Sequence, residues 1–413
     1  MKTKRPIRNA ISRSKQLLEI GFALVKTFHA LFVRPKKIWR HPQKCEVLIY
    51  DAVGSKTLVD LIGKHSSVVV PTRGESVNIP CLIKAMTKKS FWSRGQTINT
   101  YISMFAIRCE VRLVITFIDN NFRFYSLWKL LPGIQTMMIQ NGTRDEVNDL
   151  KFGLNKTPEY RVNYALSHGF AQSWYYKQFI TGRAEAIGSI KNNFVDKIVC
   201  DPDRTIVFVS QFRVRALDNK FLITNRNETV YWDEYFTAEK IIFKFLLGWC
   251  KQNNYKLAVC GCQSSNKVEE HQFFSSISSE SESFSYLARQ TETGSYEYTD
   301  AAEIVVTIDS TLGFESLGRG NKTAFFYNRN VTVTVSQLFG WPAVLPESGP
   351  FWTNSRSEAE FERVMNSVAS ATDVEFAKMR EPYMDDLMVW DPGNSKAKAL
   401  IESILDTSKP AIK

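Results

Sequence analysis

Short, uninterrupted apolar runs, rich in valine and isoleucine, recur along this chain, each followed by a turn and an amphipathic stretch. A strand that is apolar on both faces must be covered on both. That is the situation of a parallel sheet lying between helices, not of a hairpin with one wet side. Cys45–Tyr50, Ser67–Val70, Leu113–Ile118, Thr136–Ile139 and Val162–Leu166 form one such series, with helices expected over Val77–Lys88 and Arg94–Cys109. A second series restarts at Thr205–Ser210 and runs through Lys256–Cys260, Phe284–Ala288, Ile304–Ile308 and Thr323–Phe326, with a helix expected over Thr237–Gln252. At 413 residues the chain exceeds what one core comfortably organises. The expectation is an α/β protein with two Rossmann-like lobes and a cleft between them. The pattern places the first lobe at 45–198 and the second at 199–357, with Asp201-Pro202-Asp203 at the break. Residues 358–413 read as a helical segment that crosses back to the first lobe.

Charge separates a third region from these two. Residues 1–44 carry twelve Lys or Arg against one acid, Glu19, whereas residues 45–413 carry 41 of each sign. The formal net charge of +11 therefore belongs to the N-terminal segment. A nucleic-acid enzyme more often spreads such an excess over its body, so no nucleic-acid partner is expected. Residues 7–33 read as a helix with Leu17, Leu24, Phe28 and Leu31 on one stripe and cations at both ends. Such a helix suits an anionic membrane surface, or equally a site on its own protein. Its apolar runs are cut by Lys26 and Arg34, too short to span a bilayer. The seven cysteines are scattered, and the Cys260-x-Cys262 spacing is not that of a zinc site. Reduced thiols and a cytoplasmic location, peripheral on the inner face of the cell membrane, are expected.

Ligands of open α/β sheets bind beyond the carboxyl ends of the strands, so the residues there are the candidates. Asp309-Ser310-Thr311-Leu312-Gly313-Phe314-Glu315 follows one strand. Ser310 and Thr311 are N-cap types, and the helix they open would favour a phosphate at its N-terminus. Glu315, one turn in, can accept from ribose hydroxyls or simply complement the helix dipole. Asp119-Asn120-Asn121 can hold sugar hydroxyls, with Asp119 as general base, or cap the next turn. Arg73 and Glu75 can pair with each other or meet substrate separately. His168 is a candidate base or phosphate ligand, or a structural histidine. Gly188 and Ser189 can form an interlobe wall whose amides face a donor. No H-E-x-x-H, G-x-S-x-G or Asp-x-Asp stands out, so a metal-independent site is expected.

Several of these stretches together resemble the bacterial surface carbohydrate (surface polysaccharide) biosynthesis protein family. They are Val47–Asp51 with Gly54-Ser55, Thr72–Asn78, Val114–Asn121, Ile139–Gly142, Ile187–Ser189 and Ile308–Glu315. The resemblance runs over residues 45–330. It implies a GT-B-like glycosyltransferase of an O-antigen, capsule or related cluster, with the nucleotide in the second lobe and the acceptor in the first. Carried onto this sequence, Ser310, Thr311 and Glu315, with Gly313 in the same motif, become donor contacts. Asp119, Arg73 and Glu75 become acceptor-side or catalytic candidates. His168 lies outside the matched motifs. The expected partners are a nucleotide-sugar donor, CMP-linked donors included, and a lipid-linked glycan acceptor, with no further cofactor. A non-hydrolysing sugar-nucleotide epimerase, a CDP-polyol phosphotransferase and a non-catalytic scaffold share the same architecture and stay open.

Overall fold

The computed structural model describes residues 35–93, 95–144, 160–178, 180–199, 203–214, 221–225, 228–231, 236–279, 283–291, 293–327 and 345–407, together with 21 and 25. The expected N-terminal helix over 7–33 lies outside these, apart from those two helical positions.

Two parallel sheets organise the chain. The first has the spatial order Ser67–Val70, Val47–Tyr50, Leu113–Thr116, Gln135–Ile139, Arg161–Ser167, Thr181–Ala186, all parallel. The second has the order Ser285–Leu287, Lys256–Cys260, Thr205–Val209, Ile304–Thr307, Thr323–Phe326, Trp352–Thr353. A two-residue antiparallel strand, Ser348–Gly349, closes its far edge. In each sheet the strand order reverses at one point. In the first it lies between Val47–Tyr50 and Leu113–Thr116, in the second between Thr205–Val209 and Ile304–Thr307.

Both faces of the first sheet are buried, as its sequence demands. Leu48, Val114 and Met138 face the helix Thr97–Cys109 and the turn Phe124–Leu130, while Val47, Ile49, Leu113 and Ile115 face the opposite side. That second side is covered by the helix Ser55–Ile62 and by Ala397, Ile401, Ile404 and Leu405 of the final helix, Ser395–Thr407. The end of the chain thus returns to the first sheet after the helices Glu358–Ser370 and Asp373–Leu387 have run along the second lobe. Truncating Ile401 to Ala would leave a hole under the first sheet and cost about 2–5 kcal/mol.

Three elements depart from the sequence reading. Thr181–Ala186 is a strand, although it has no large apolar residue; it is one edge of the sheet, and pairing with Arg161–Ser167 specifies it. Phe221–Asn225 and Glu228–Tyr231 pair antiparallel, two strands absent from the expected series. The helix expected from Val77 begins at Ile79, where Asn78 accepts from the Cys81 amide as N-cap, and Ser76–Asn78 pairs in parallel with Lys36–Ile38. Among the described residues no helix is long and apolar enough to cross a membrane, and the six described cysteines are free.

Candidate active site

The carboxyl ends of both sheets turn toward a shared seam. On the second lobe the helix Thr311–Arg319 starts directly beyond the switch-point strand. Ser310 holds the N-cap backbone geometry but makes no side-chain capping bond, so the first-turn amides keep their bias toward an anion. Gly313 fills a packing role. A side chain there would overlap Thr307, so glycine lets the helix lie close on its strand. The Thr311 hydroxyl accepts from the Thr143 amide of the first lobe at 2.9 Å, joining the loop Gln140–Arg144 to the start of this helix.

Two strands further along the same edge lies a cavity of about 360 Å³. Its walls are Cys262, Gln263, Ser264 and Ser265 beyond one strand and Arg289, Gln290 and Thr291 beyond the next. The size is at the lower end for a small-molecule site. Glu270 shapes it from beneath. Its carboxylate accepts from the Cys262 amide at 3.0 and 3.1 Å and from the Tyr286 hydroxyl at 2.8 Å. Burial pushes Glu270 above the ordinary carboxylate range, against bonds from Ser210, Cys262 and Tyr286 and the charge of Arg213. Arg213 also donates to the Cys262 sulfur. Apart from Cys262, weighed in sequence only as a metal ligand, none of these residues was singled out. Reading the ends of Lys256–Cys260 and Ser285–Leu287 by the rule used for the other strands would have reached Cys262 and Arg289.

First-lobe polar groups are arranged differently. Asp119 is fully buried. Arg144 grips it with a two-pronged contact, Nε to Oδ2 at 2.6 Å and Nη2 to Oδ1 at 2.5 Å, and the Tyr176 hydroxyl donates to Oδ2. The Asn141 amide, at 3.4 Å from Oδ1, is a fourth donor, so both carboxylate oxygens are engaged. The geometry makes Asp119 the anchor of the Gln140–Arg144 loop, not a group poised to take an acceptor proton. Arg73 does not pair with the Glu75 side chain through its guanidinium. It reaches Asp51 instead, at 3.1 Å, and only its backbone amide meets the Glu75 carboxylate. Asp51 also receives Thr72 and the Val53 amide, and these bonds with the Arg73 charge outweigh its burial and hold its pKa down. Its φ of 80° is a left-handed conformation rare for a non-glycine residue, at the switch point of the first sheet. Glu75 is exposed.

His168 is buried, and neither ring nitrogen has a hydrogen-bond partner among the described residues. Burial drives its pKa down to about 4, so the ring is neutral at neutral pH. Its amide donates to Gln140 and its carbonyl accepts from Val389 of the returning chain, at 2.8 and 2.9 Å. Gly188, Ser189 and Glu315 do come together, though with each other. The Ser189 hydroxyl donates to Glu315 Oε1 at 2.5 Å across the lobes. Gly188 has φ 79°, and a side chain there would overlap the Val389 carbonyl. Burial raises the Glu315 pKa, partly offset by the bonds from Ser189 and Tyr296 and the charges of Lys191 and Arg319. Beneath them Arg319 is fully buried. It is ion-paired with Asp300 and donates to the carbonyls of Val195 and Asp196 at 2.8 Å, clamping the interlobe linker. Among the described residues no cluster of His, Cys, Asp or Glu is arranged to hold a metal.

Residues 137–405 match a family model described as "putative O-antigen biosynthesis protein". The matched span includes the Gln140–Arg144 loop, the seam and the whole second sheet. Among solved structures the chain is similar to the wall teichoic acid polymerase TagF, at 8% identity over 96% of this chain and 97% of that one, TM-score 0.48. It is also similar to the UDP-GlcNAc 2-epimerase of Neisseria meningitidis, at 9% identity over 89% and 100%, TM-score 0.48. The UDP-GlcNAc 2-epimerase of Methanocaldococcus jannaschii gives 10% identity over 89% and 100%, TM-score 0.46. No curated protein matches the sequence.

Proposed function

The chain belongs to the family of O-antigen biosynthesis proteins, and on that premise we propose that it is a glycosyltransferase moving a sugar from a nucleotide-activated donor to a lipid-linked surface glycan. The observation that carries this reading is the uncapped start of the helix Thr311–Arg319, on the same sheet edge as the cavity beside Arg289. Two strand spacings, roughly 10 Å, separate them, a span suited to a nucleoside held in the cavity with its phosphate at the helix. The leaving phosphate would then meet the first-turn amides and the Ser310 and Thr311 hydroxyls. These are fixed dipoles already aimed at where charge develops. Seated against the Phe117 ring and close to Glu315, the Lys191 ammonium adds a cation on the first-lobe side.

On the acceptor side Glu75 is the carboxylate open to an incoming hydroxyl, with Arg73 and Asp51 shaping the turn it stands on. Asp119, through Arg144, holds the loop that touches Thr311. The basic residues 1–44 would keep the enzyme on an anionic membrane, close to a lipid-linked acceptor.

A thermal-shift series with CMP, CDP, UDP, GDP and dTDP tests the donor site. A ligand at about a hundred times its Kd stabilises by about 2.7 kcal/mol, so one nucleotide should raise the Tm clearly. The rise should shrink in Arg289→Ala and in Thr311→Val. If no nucleotide shifts the wild type, the donor assignment fails.

A further inference from the structure

The strand Ser67–Val70 is one edge of the first sheet, opposite Thr181–Ala186, and beyond it the chain arm Lys36–Lys44 passes without pairing to it. An uncovered edge leaves backbone groups and core side chains open. Here it leaves a cavity of about 340 Å³. Its floor is the flank of the first-lobe core, with Val68 and Tyr101 half-buried and Val70 and Phe105 buried. At the rim stand Arg40, His41 and Lys44, all exposed, and no carboxylate lines it. Lys44 is already paired with Glu110. Arg40 is the other cation there, and the His41 ring adds a hydrogen-bonding group next to it. Between them and Ile38, the Trp39 side chain stands out into solvent at 72% exposure.

An apolar trough with a cationic rim and a protruding indole is the complement of a lipid with an anionic head. Tryptophan settles at the level of lipid headgroups, and each cation near an anionic leaflet contributes about 1 kcal/mol. We propose that this cavity binds a single anionic phospholipid of the membrane surface. Its phosphate lies against Arg40 and His41, its apolar end against Phe105 and Val68, and Trp39 is seated in the interface. The inference stands apart from the donor site, because the cavity lies on the outer flank of the other lobe.

Cys45 lines the same cavity and is half-buried, which makes it a reporter. Cys262, half-buried in the second-lobe cavity, is the internal control. The full chain is alkylated with N-ethylmaleimide and the rate at each cysteine is followed by peptide mass spectrometry. Phosphatidylglycerol vesicles should slow Cys45 at least about fivefold, the factor expected for roughly 1 kcal/mol, and leave Cys262 unchanged. Phosphatidylcholine vesicles and inorganic phosphate should slow neither cysteine. Protection should vanish in a Trp39→Ala, Arg40→Ala double variant of unaltered Tm. A second reading is quenching of Trp39 by brominated phosphatidylglycerol, taken as the difference from Trp39→Phe.

If the protein sediments with phosphatidylglycerol vesicles while Cys45 stays unprotected and Trp39 unquenched, docking occurs elsewhere and the proposal is overturned. Equal protection by inorganic phosphate overturns it too, as a plain anion site. Nucleotide thermal shifts are indifferent to all these outcomes, so failure here and failure of the donor reading are separable.

Discussion

The two lobes share a sheet type and differ in what they do with the polar groups at its carboxyl edge. In the first lobe the two buried acids are committed to partners. Asp119 is saturated by Arg144 and Tyr176, and Asp51 by Arg73 and Thr72. In the second, a helix N-terminus lacks a side-chain cap and a cavity stands open beside it. A buried carboxylate must find partners or lose its charge, so acids at the end of a buried strand tend to be consumed by structure. Backbone amides at a helix start keep their dipole without that penalty. An acid at the end of a buried strand is therefore to be read for its structural partners before its chemistry.

The contrast can be broken or sharpened at three places. The largest effect is expected at the clamp between the lobes. Arg319→Ala leaves Asp300 buried without its cation and frees the Val195 and Asp196 carbonyls, and should cost about 3–5 kcal/mol in urea unfolding. A loss under about 1 kcal/mol would mean that the linker is held some other way.

Next comes the first lobe, read through its buried and unpartnered imidazole, His168. Its folded pKa of about 4 lies below the ordinary value of 6.5. The unfolded chain therefore binds the proton first, and stability is lost as pH falls from 6.5 toward 4. Between pH 7 and pH 5 this amounts to about 2 kcal/mol. The decline should be absent in His168→Gln when the two slopes are compared. Equal slopes would show that the ring reaches water or a partner.

The smallest effect is at Glu315, whose folded pKa is raised. Its charge opposes folding once the pH passes the unfolded value. Glu315→Gln can keep the Ser189 bond without that penalty, so its stability relative to wild type should improve from pH 5 to pH 8. An opposite trend would place the carboxylate in a solvated, functional setting.

Much of the fold was legible because buried parallel strands must be apolar on both faces. Val47–Tyr50, Leu113–Thr116, Thr205–Val209 and Ile304–Thr307 announce themselves that way. Thr181–Ala186 did not, since an edge strand needs little apolar surface and takes its conformation from a neighbour. Of the candidate site, Ser310 and Thr311 were legible from N-cap chemistry beyond a strand. The partners Arg144 and Tyr176 were not. They lie 25 and 57 residues from Asp119, and nothing local to that aspartate points to them.

By itself the sequence determined the layers, the two-lobe plan and the charge of the N-terminal arm, because periodicity and composition are local properties. Which strand lies at the edge, which acid meets which cation, and which core residues the returning last helix covers were decided only by tertiary structure. Those outcomes depend on contacts between residues far apart in the chain. The pairing of Ser189 with Glu315, 126 residues away, exists only once both lobes have folded against each other.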